Sequence, residues 1–225
     1  MALDIGAVVE DSARRTLQRN GLMLAAAFFL LNLVGAFMGV RSGAASVGVQ
    51  PTVGMDPVTA GILGVVVSLL SLMVSIAALR VFVTDETDTV PDAAFKRRMG
   101  GALLHMIIGG IIFGIAVGIG FILLVVPGVY LLLALFFWPV YVVVEDQSFY
   151  EAMQSSWAMT KGHKWRLLGL GIVIALVNIL LGAVGGVAVF AGNPMTGSVV
   201  MQAFSAIGGV FALAAQARAY TEIAG

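Results

Sequence analysis

The chain has 225 residues, 60% hydrophobic and 11% charged, with zero formal net charge and no cysteine. A soluble domain carries about 25% charged residues, so this composition excludes a globule covered by polar surface, and the charge balance gives no footprint for nucleic acid. The lack of cysteine excludes disulfides, zinc–thiolate sites, iron–sulfur clusters and thiol catalysis.

Residues 2–20, ALDIGAVVEDSARRTLQRN, do not have the basic-then-apolar layout of an export signal. Ile5, Val8, Val9, Ala13 and Leu17 recur at three- and four-residue spacing, with Asp4, Asp11, Arg14, Arg15, Gln18 and Arg19 between them. That pattern predicts an amphipathic helix in the membrane interface. It leads into a first span at about 21–40, since a helix crosses a hydrocarbon core in about 20 apolar residues. A Gly/Ser/Pro-rich loop at about 41–57 precedes a second span at about 58–83, which ends in the acidic loop TDETDTVPD. Pro91-Asp92 suits a first helical turn. The helix it opens is expected to run through AAFKRRMGG into a third span at about 100–125.

Val125-Val126-Pro127-Gly128 predicts a sharp turn before a fourth span at about 129–144. Pro139 removes a hydrogen bond to the Leu135 carbonyl and predicts a kink there. Ser148 and Glu151 have capping-box spacing. A second interfacial helix is therefore expected over 148–161, with Phe149, Met153 and Trp157 on one face. A fifth span at about 166–191, a turn at Ala191-Gly192-Asn193-Pro194 and a sixth span at about 196–218 complete the chain.

The expected fold is all-α: one polytopic membrane domain over 1–225, a bundle of six transmembrane helices plus two cytoplasmic-side amphipathic helices. Placing the N-terminus in the cytoplasm puts every Lys and Arg except Arg41 on a cytoplasmic segment or an inner span end. This positive-inside bias predicts a multi-pass protein of the cell membrane with N- and C-termini cytoplasmic. Glu10 to Leu22 and Glu151 to Trp165 share a layout, an amphipathic segment ending in a basic-plus-Gly junction. An internal repeat and convergence of two interfacial helices both explain it.

The stretch VVPGVY…WPVYVVVED…SFYEAMQSSWAMTKGHKWRL carries a Pro-Gly hairpin, a Pro-containing span, an acidic exit, an amphipathic helix and a basic re-entry. In this it resembles a family of multi-pass membrane proteins similar to the membrane domain attached to some glycerophosphoryl diester phosphodiesterases. Archaeal-type members carry a D-x-x-R-T…R-N-G-L segment and a P-D…F-x-R-R-M-G approach to the third span, matched here at Asp11 to Leu22 and Pro91 to Gly100. The resemblance implies a six-helix membrane domain without the phosphodiesterase catalytic domain.

Polar residues inside spans are candidate functional groups because burying them unpaired is costly. Asn32, Asn178, Gln202 and His105 qualify, with interhelical hydrogen bonding as the expected use. Ser68, Ser71 and Ser75 form a stripe on the second span without a Gly-x-Ser-x-Gly elbow. Gly110, Gly114 and Gly118 lie four apart on the third span; packing within the bundle is expected of them, with homodimerisation as the alternative. Pro139, Asn178 and Ser71 are candidates for a kink or pathway. Lys96, Arg97, Arg98, Lys161, Lys164 and Arg166 are candidates for anionic lipid headgroups. No residues are assigned to catalysis, cofactor or metal, and no cofactor is expected. The expected function is a non-enzymatic membrane scaffold, lipid-organising factor or partner subunit; the alternative is a small transporter or permeability pathway. Its expected partners are membrane lipids, with another membrane protein or a second copy, and no nucleic acid.

Overall fold

Lipid offers a backbone no hydrogen-bond partner, so apolar runs of this length must satisfy their own amides as helices. A computed structural model describes residues 3–37, 56–84, 90–191 and 194–224. In chain order the helices are α1 (Ile5–Leu17), α2 (Arg19–Phe37), α3 (Pro57–Val83), α4 (Asp92–Lys96), α5 (Met99–Leu123), α6 (Val125–Ala134), α7 (Trp138–Val144), α8 (Phe149–Met159), α9 (Lys164–Ala191) and α10 (Pro194–Ala224). The protein is an all-α bundle of six transmembrane helices with additional non-membrane helices. The spans are α2, α3, α5, the α6–α7 pair, α9 and α10. Most of the loop expected at 41–57, the acidic loop at 85–89, the Gly192-Asn193 turn and the side chain of Lys96 lie outside the described residues.

The helix starts follow from local chemistry. Asp4 caps α1 by accepting the amides of Gly6 and Ala7 at 2.9 and 3.2 Å. Asp56 caps α3 in the same way, accepting Val58 and Thr59, with Pro57 in the first turn. Its hydrogen bonds to Thr59 hold the Asp56 carboxyl below the usual range.

Burial is concentrated at one end of the bundle. Ile76, Leu79 and Phe82 of α3 meet Val210, Ala214 and Ala217 of α10, Leu167 and Leu170 of α9, and Phe137, Val140 and Val143 around α7. Towards the other end the spans present exposed apolar side chains such as Ile62, Val65 and Val184. In water these would be a liability; in a bilayer they face a solvent as apolar as themselves.

Three features depart from the sequence expectations. The helix opened at Asp92 does not run on into the third span. It stops at Lys96, and Arg98, in the left-handed region at φ 41°, starts α5 in a new direction. The guanidinium of Arg80 accounts for the stop: it takes the Ala94 carbonyl at 2.9 Å and the Val143 carbonyl at 3.0 Å, tying α4 and α7 to α3. The turn expected at Val125–Gly128 is made by a single extended residue, Leu124. Pro127 sits in the first turn of α6, where its missing N–H has no intrahelical partner to lose. Gly128 and Gly120 then let the two arms touch: a Cβ on Gly120 would lie 2.9 Å from the Gly128 Cα. Finally, α1 buries Val8, Ser12, Arg15 and Thr16. Ala13 and Leu17, expected on its apolar face, are exposed, Leu17 by 68%.

Candidate functional site

The fourth span is two helices. α6 ends at Ala134, α7 begins at Trp138, and the residues between them leave the α-helical path. Pro139 lies in the first turn of α7. The expected kink at Pro139 is thus a break just before it, because a proline is tolerated where a helix starts and not where it continues.

A break inside a span strands backbone groups, and here neighbouring side chains take them up. Ser156 donates to the Ala134 carbonyl at 3.0 Å and accepts the Phe137 amide at 3.0 Å. Thr160 donates to the same Ala134 carbonyl at 3.2 Å. The side-chain amide of Gln216 donates to the Phe136 carbonyl. Ser156 and Thr160 are fully buried. α8 supplies both hydroxyls because it runs back along α7 from its capping box. In that box Glu151 accepts the amide and hydroxyl of Ser148 at 3.1 and 2.7 Å. Those bonds hold the Glu151 carboxyl below its usual range. Trp157 packs edge-on to Tyr130, with centroids 5.4 Å apart. The Lys164 ammonium lies 3.4 Å from the Tyr130 ring centroid and 5.1 Å from that of Trp157. The Ser156, Thr160 and Gln216 contacts were not legible in the sequence. The one signal available was the presence of three polar residues on otherwise apolar elements.

The other candidates are dispersed. Asn178 donates to the Ile174 carbonyl of its own helix at 2.9 Å. It overlies Gly208, where a Cβ would lie 2.4 Å from its carbonyl oxygen, so this asparagine packs α9 on α10. Ser75 donates to the Ser71 carbonyl at 2.8 Å, a bond internal to α3. The Nδ1 of His105 is buried without a partner among the described residues, and its ring lies 6.2 Å from that of Phe149. No described hydrogen bond joins His105 to the serine stripe. Among the described residues no three His, Cys, Asp or Glu side chains gather as a metal-binding group.

The glycine stripe does not pack within the bundle as expected. A Cβ at Gly110, Gly114 or Gly118 would meet nothing within 4 Å. The adjacent Gly109 makes the packing contact, against Trp138 and Phe149. The basic residues also separate. Arg97 pairs with Asp146 at 2.6 Å, Arg98 is exposed at the start of α5, Lys164 is stacked on rings, and Lys161 and Arg166 are exposed beside Trp165, itself 86% exposed.

A family model described as "Domain of unknown function (DUF7847)" matches residues 3–223. The chain belongs to the DUF7847 family. The match runs from the residue before the α1 cap to the last turn of α10, so this DUF7847 protein is a multi-pass membrane protein over its whole described fold. No curated protein and no solved structure matches it.

Proposed function

We propose that the protein is a non-enzymatic membrane component, a partner subunit or scaffold that associates with another membrane protein or a second copy through α5. The observation that carries this reading is the open face of α5, where Gly110, Gly114 and Gly118 leave space at every Cβ position. Small residues four apart let a neighbouring helix backbone approach closely. The sealed fourth span supports the same reading over a solute pathway. The carbonyls that a broken helix would offer a solute, those of Ala134 and Phe136, already accept Ser156, Thr160 and Gln216. Anionic lipid headgroups at Lys161, Arg166 and Arg98, all exposed, fit a lipid-organising role.

Because the chain has no cysteine, Gly114→Cys gives a single crosslinking position in native membranes. A homodimer or a stoichiometric adduct with one membrane protein is the expected result. Absence of both, together with solute flux in liposomes that Asn178→Ala or Pro139→Ala abolishes, replaces this reading with the small-transporter alternative. Both termini are assigned to the cytoplasm on the strength of the basic residues gathered at one end, where Arg15 reaches the Thr84 carbonyl and shares Asp11 with Arg218. Cysteines at Lys161 and Arg41, labelled from outside with an impermeant reagent, test the orientation: labelling at 41 alone is expected, and labelling at 161 overturns it.

A further inference from the structure

The last turns of α10 have two occupied faces. Gln216 and Tyr220, four apart, address the fourth span. Gln216 donates to the Phe136 carbonyl in the break, and the Tyr220 hydroxyl donates to Glu145 just past α7 at 3.0 Å. The rings of Phe137 and Tyr141 close on Tyr220, with centroids 6.1 and 5.3 Å away. Arg218 and Glu222, also four apart, address α1 instead. Arg218 pairs with Asp11, and Glu222 accepts the Asp4 amide at 2.6 Å. Residues four apart share a helix face, and residues two apart do not. The same two helical turns therefore hold α1 on one side and the broken span on the other.

α1 is a fastened element and not a loose surface helix. Arg15 donates to the Thr84 carbonyl at 2.9 Å, at the end of α3. Ile5 enters a notch at Gly169 of α9, where a Cβ would come within 2.9 Å of its Cδ1. Gly21 lets the chain fold back, since a Cβ there would sit 2.2 Å from the Arg15 carbonyl oxygen. An open groove of about 420 Å³ remains between α1 and α10, lined by Ala7, Val8, Asp11, Arg218, Thr221 and Glu222.

We infer that α1 is a strap coupled to the break: its fastening to the last two turns of α10 sets how tightly the α6–α7 gap is closed. The physical link is the terminal segment of α10. Helix ends fray, and this end is held in register by bonds on both faces. Releasing Asp11 and Asp4 removes the bonds that join α1 to Arg218 and Glu222, lets the turns fray, and withdraws Gln216 and Tyr220 from the broken span. The coupling is reciprocal, as linkage requires, so loosening the break loosens the strap.

Hydrogen–deuterium exchange on the full-length protein in nanodiscs tests this, with the amides of Phe136, Phe137 and Trp138 as reporters. The double variant Asp11→Ala, Glu222→Ala removes both acceptors and is expected to speed exchange both in α1 and at the reporters, by about fivefold or more. Gln216→Ala is expected to speed exchange at the reporters and in α1. Joining Ala7→Cys to Thr221→Cys across the groove with a short thiol crosslinker is expected to slow the reporters. This locked protein keeps every native fastening residue, so it decides the matter if the charge variants do not fold. Faster exchange in α1 with reporters at the wild-type rate overturns the coupling, as does a lock that leaves the reporters unchanged.

Discussion

The hydroxyl of Ser156 accepts the backbone amide of Phe137 at 3.0 Å, across a separation of 19 residues and in full burial. Without it, an amide in the middle of a broken span has no partner. Ser156→Ala is expected to cost about 1–3 kcal/mol, the range for leaving a buried polar group unsatisfied. Ser155→Ala, which removes only a part-buried bond to Gln147, is expected to cost less. Thermal unfolding of both variants in one detergent checks the order; equal losses would show that the seal contributes nothing special.

Neighbouring glycines on α5 are expected to behave oppositely. At Gly109 a Cβ would lie 2.6 Å from the Trp138 ring and 3.1 Å from the Phe149 Cβ. Gly109→Ala therefore overpacks the contact between α5, α7 and α8 and should destabilise by about 1–3 kcal/mol. Gly110→Ala meets open space and should stabilise the single chain by about 0.5–1 kcal/mol through reduced backbone entropy. The same Gly110→Ala change is expected to weaken association through that face. Unfolding midpoints and crosslinking yields, measured side by side, separate the two effects.

The capping box of α8 gives a pH dependence with a definite sign. The Ser148 hydroxyl and amide hold the Glu151 carboxyl below its usual range. A carboxylate with a lowered folded pKa contributes stability that is fully present above the unfolded value and is lost as pH falls through the folded one. Docking of α8 is thus expected to be constant from neutral pH down to the ordinary glutamate range and to weaken below it. Exchange at the Ala152 amide, which bonds to the Ser148 carbonyl at 2.9 Å, reports the start of the helix. Glu151→Gln should flatten the profile, and a profile unchanged by that substitution would assign the acid effect elsewhere.

Arg80 joins three helices through two carbonyls, those of Ala94 and Val143. Hydrogen bonds from a charged donor contribute about 1.5–3 kcal/mol each, and lysine lacks the fixed fork that reaches both at once. Arg80→Lys is expected to behave much like Arg80→Ala in unfolding experiments, with faster exchange in α4 for both. Full rescue by lysine would mean that charge alone matters at this position.

What could be read from the sequence was what lipid dictates. Spans such as GILGVVVSLLSLMVSIAALRVFV have no alternative to helix, and Ser148 and Glu151 mark the start of α8 by local bonding. The remainder depends on partners far along the chain. Pro139 signals irregular backbone, but the break falls at Leu135–Phe137 because Ser156, Thr160 and Gln216 are there to take its stranded groups. Nothing in a one-dimensional pattern distinguishes Gly109, which packs, from Gly110, which does not. For α1, periodicity assigned an apolar face to the membrane interface and left the polar residues, Arg15 among them, on the other side. The structure buries Ser12, Arg15 and Thr16, whose side chains donate to the carbonyls of Val8, Thr84 and Ser12.

The clasp between Asp11 and Arg218 joins the two ends of the sequence, and that has a consequence for biogenesis. When α1 leaves the ribosome its partner residues have not been made. At about 5–20 residues per second, roughly 10 to 40 s pass before α10 is synthesised. During that interval Asp11 and the Asp4 amide lack Arg218 and Glu222, and α1 waits without its fastening to α10. Insertion of the final span and closure of the N-terminal strap are therefore consecutive events, with the clasp completing assembly only after the last helix is in the bilayer.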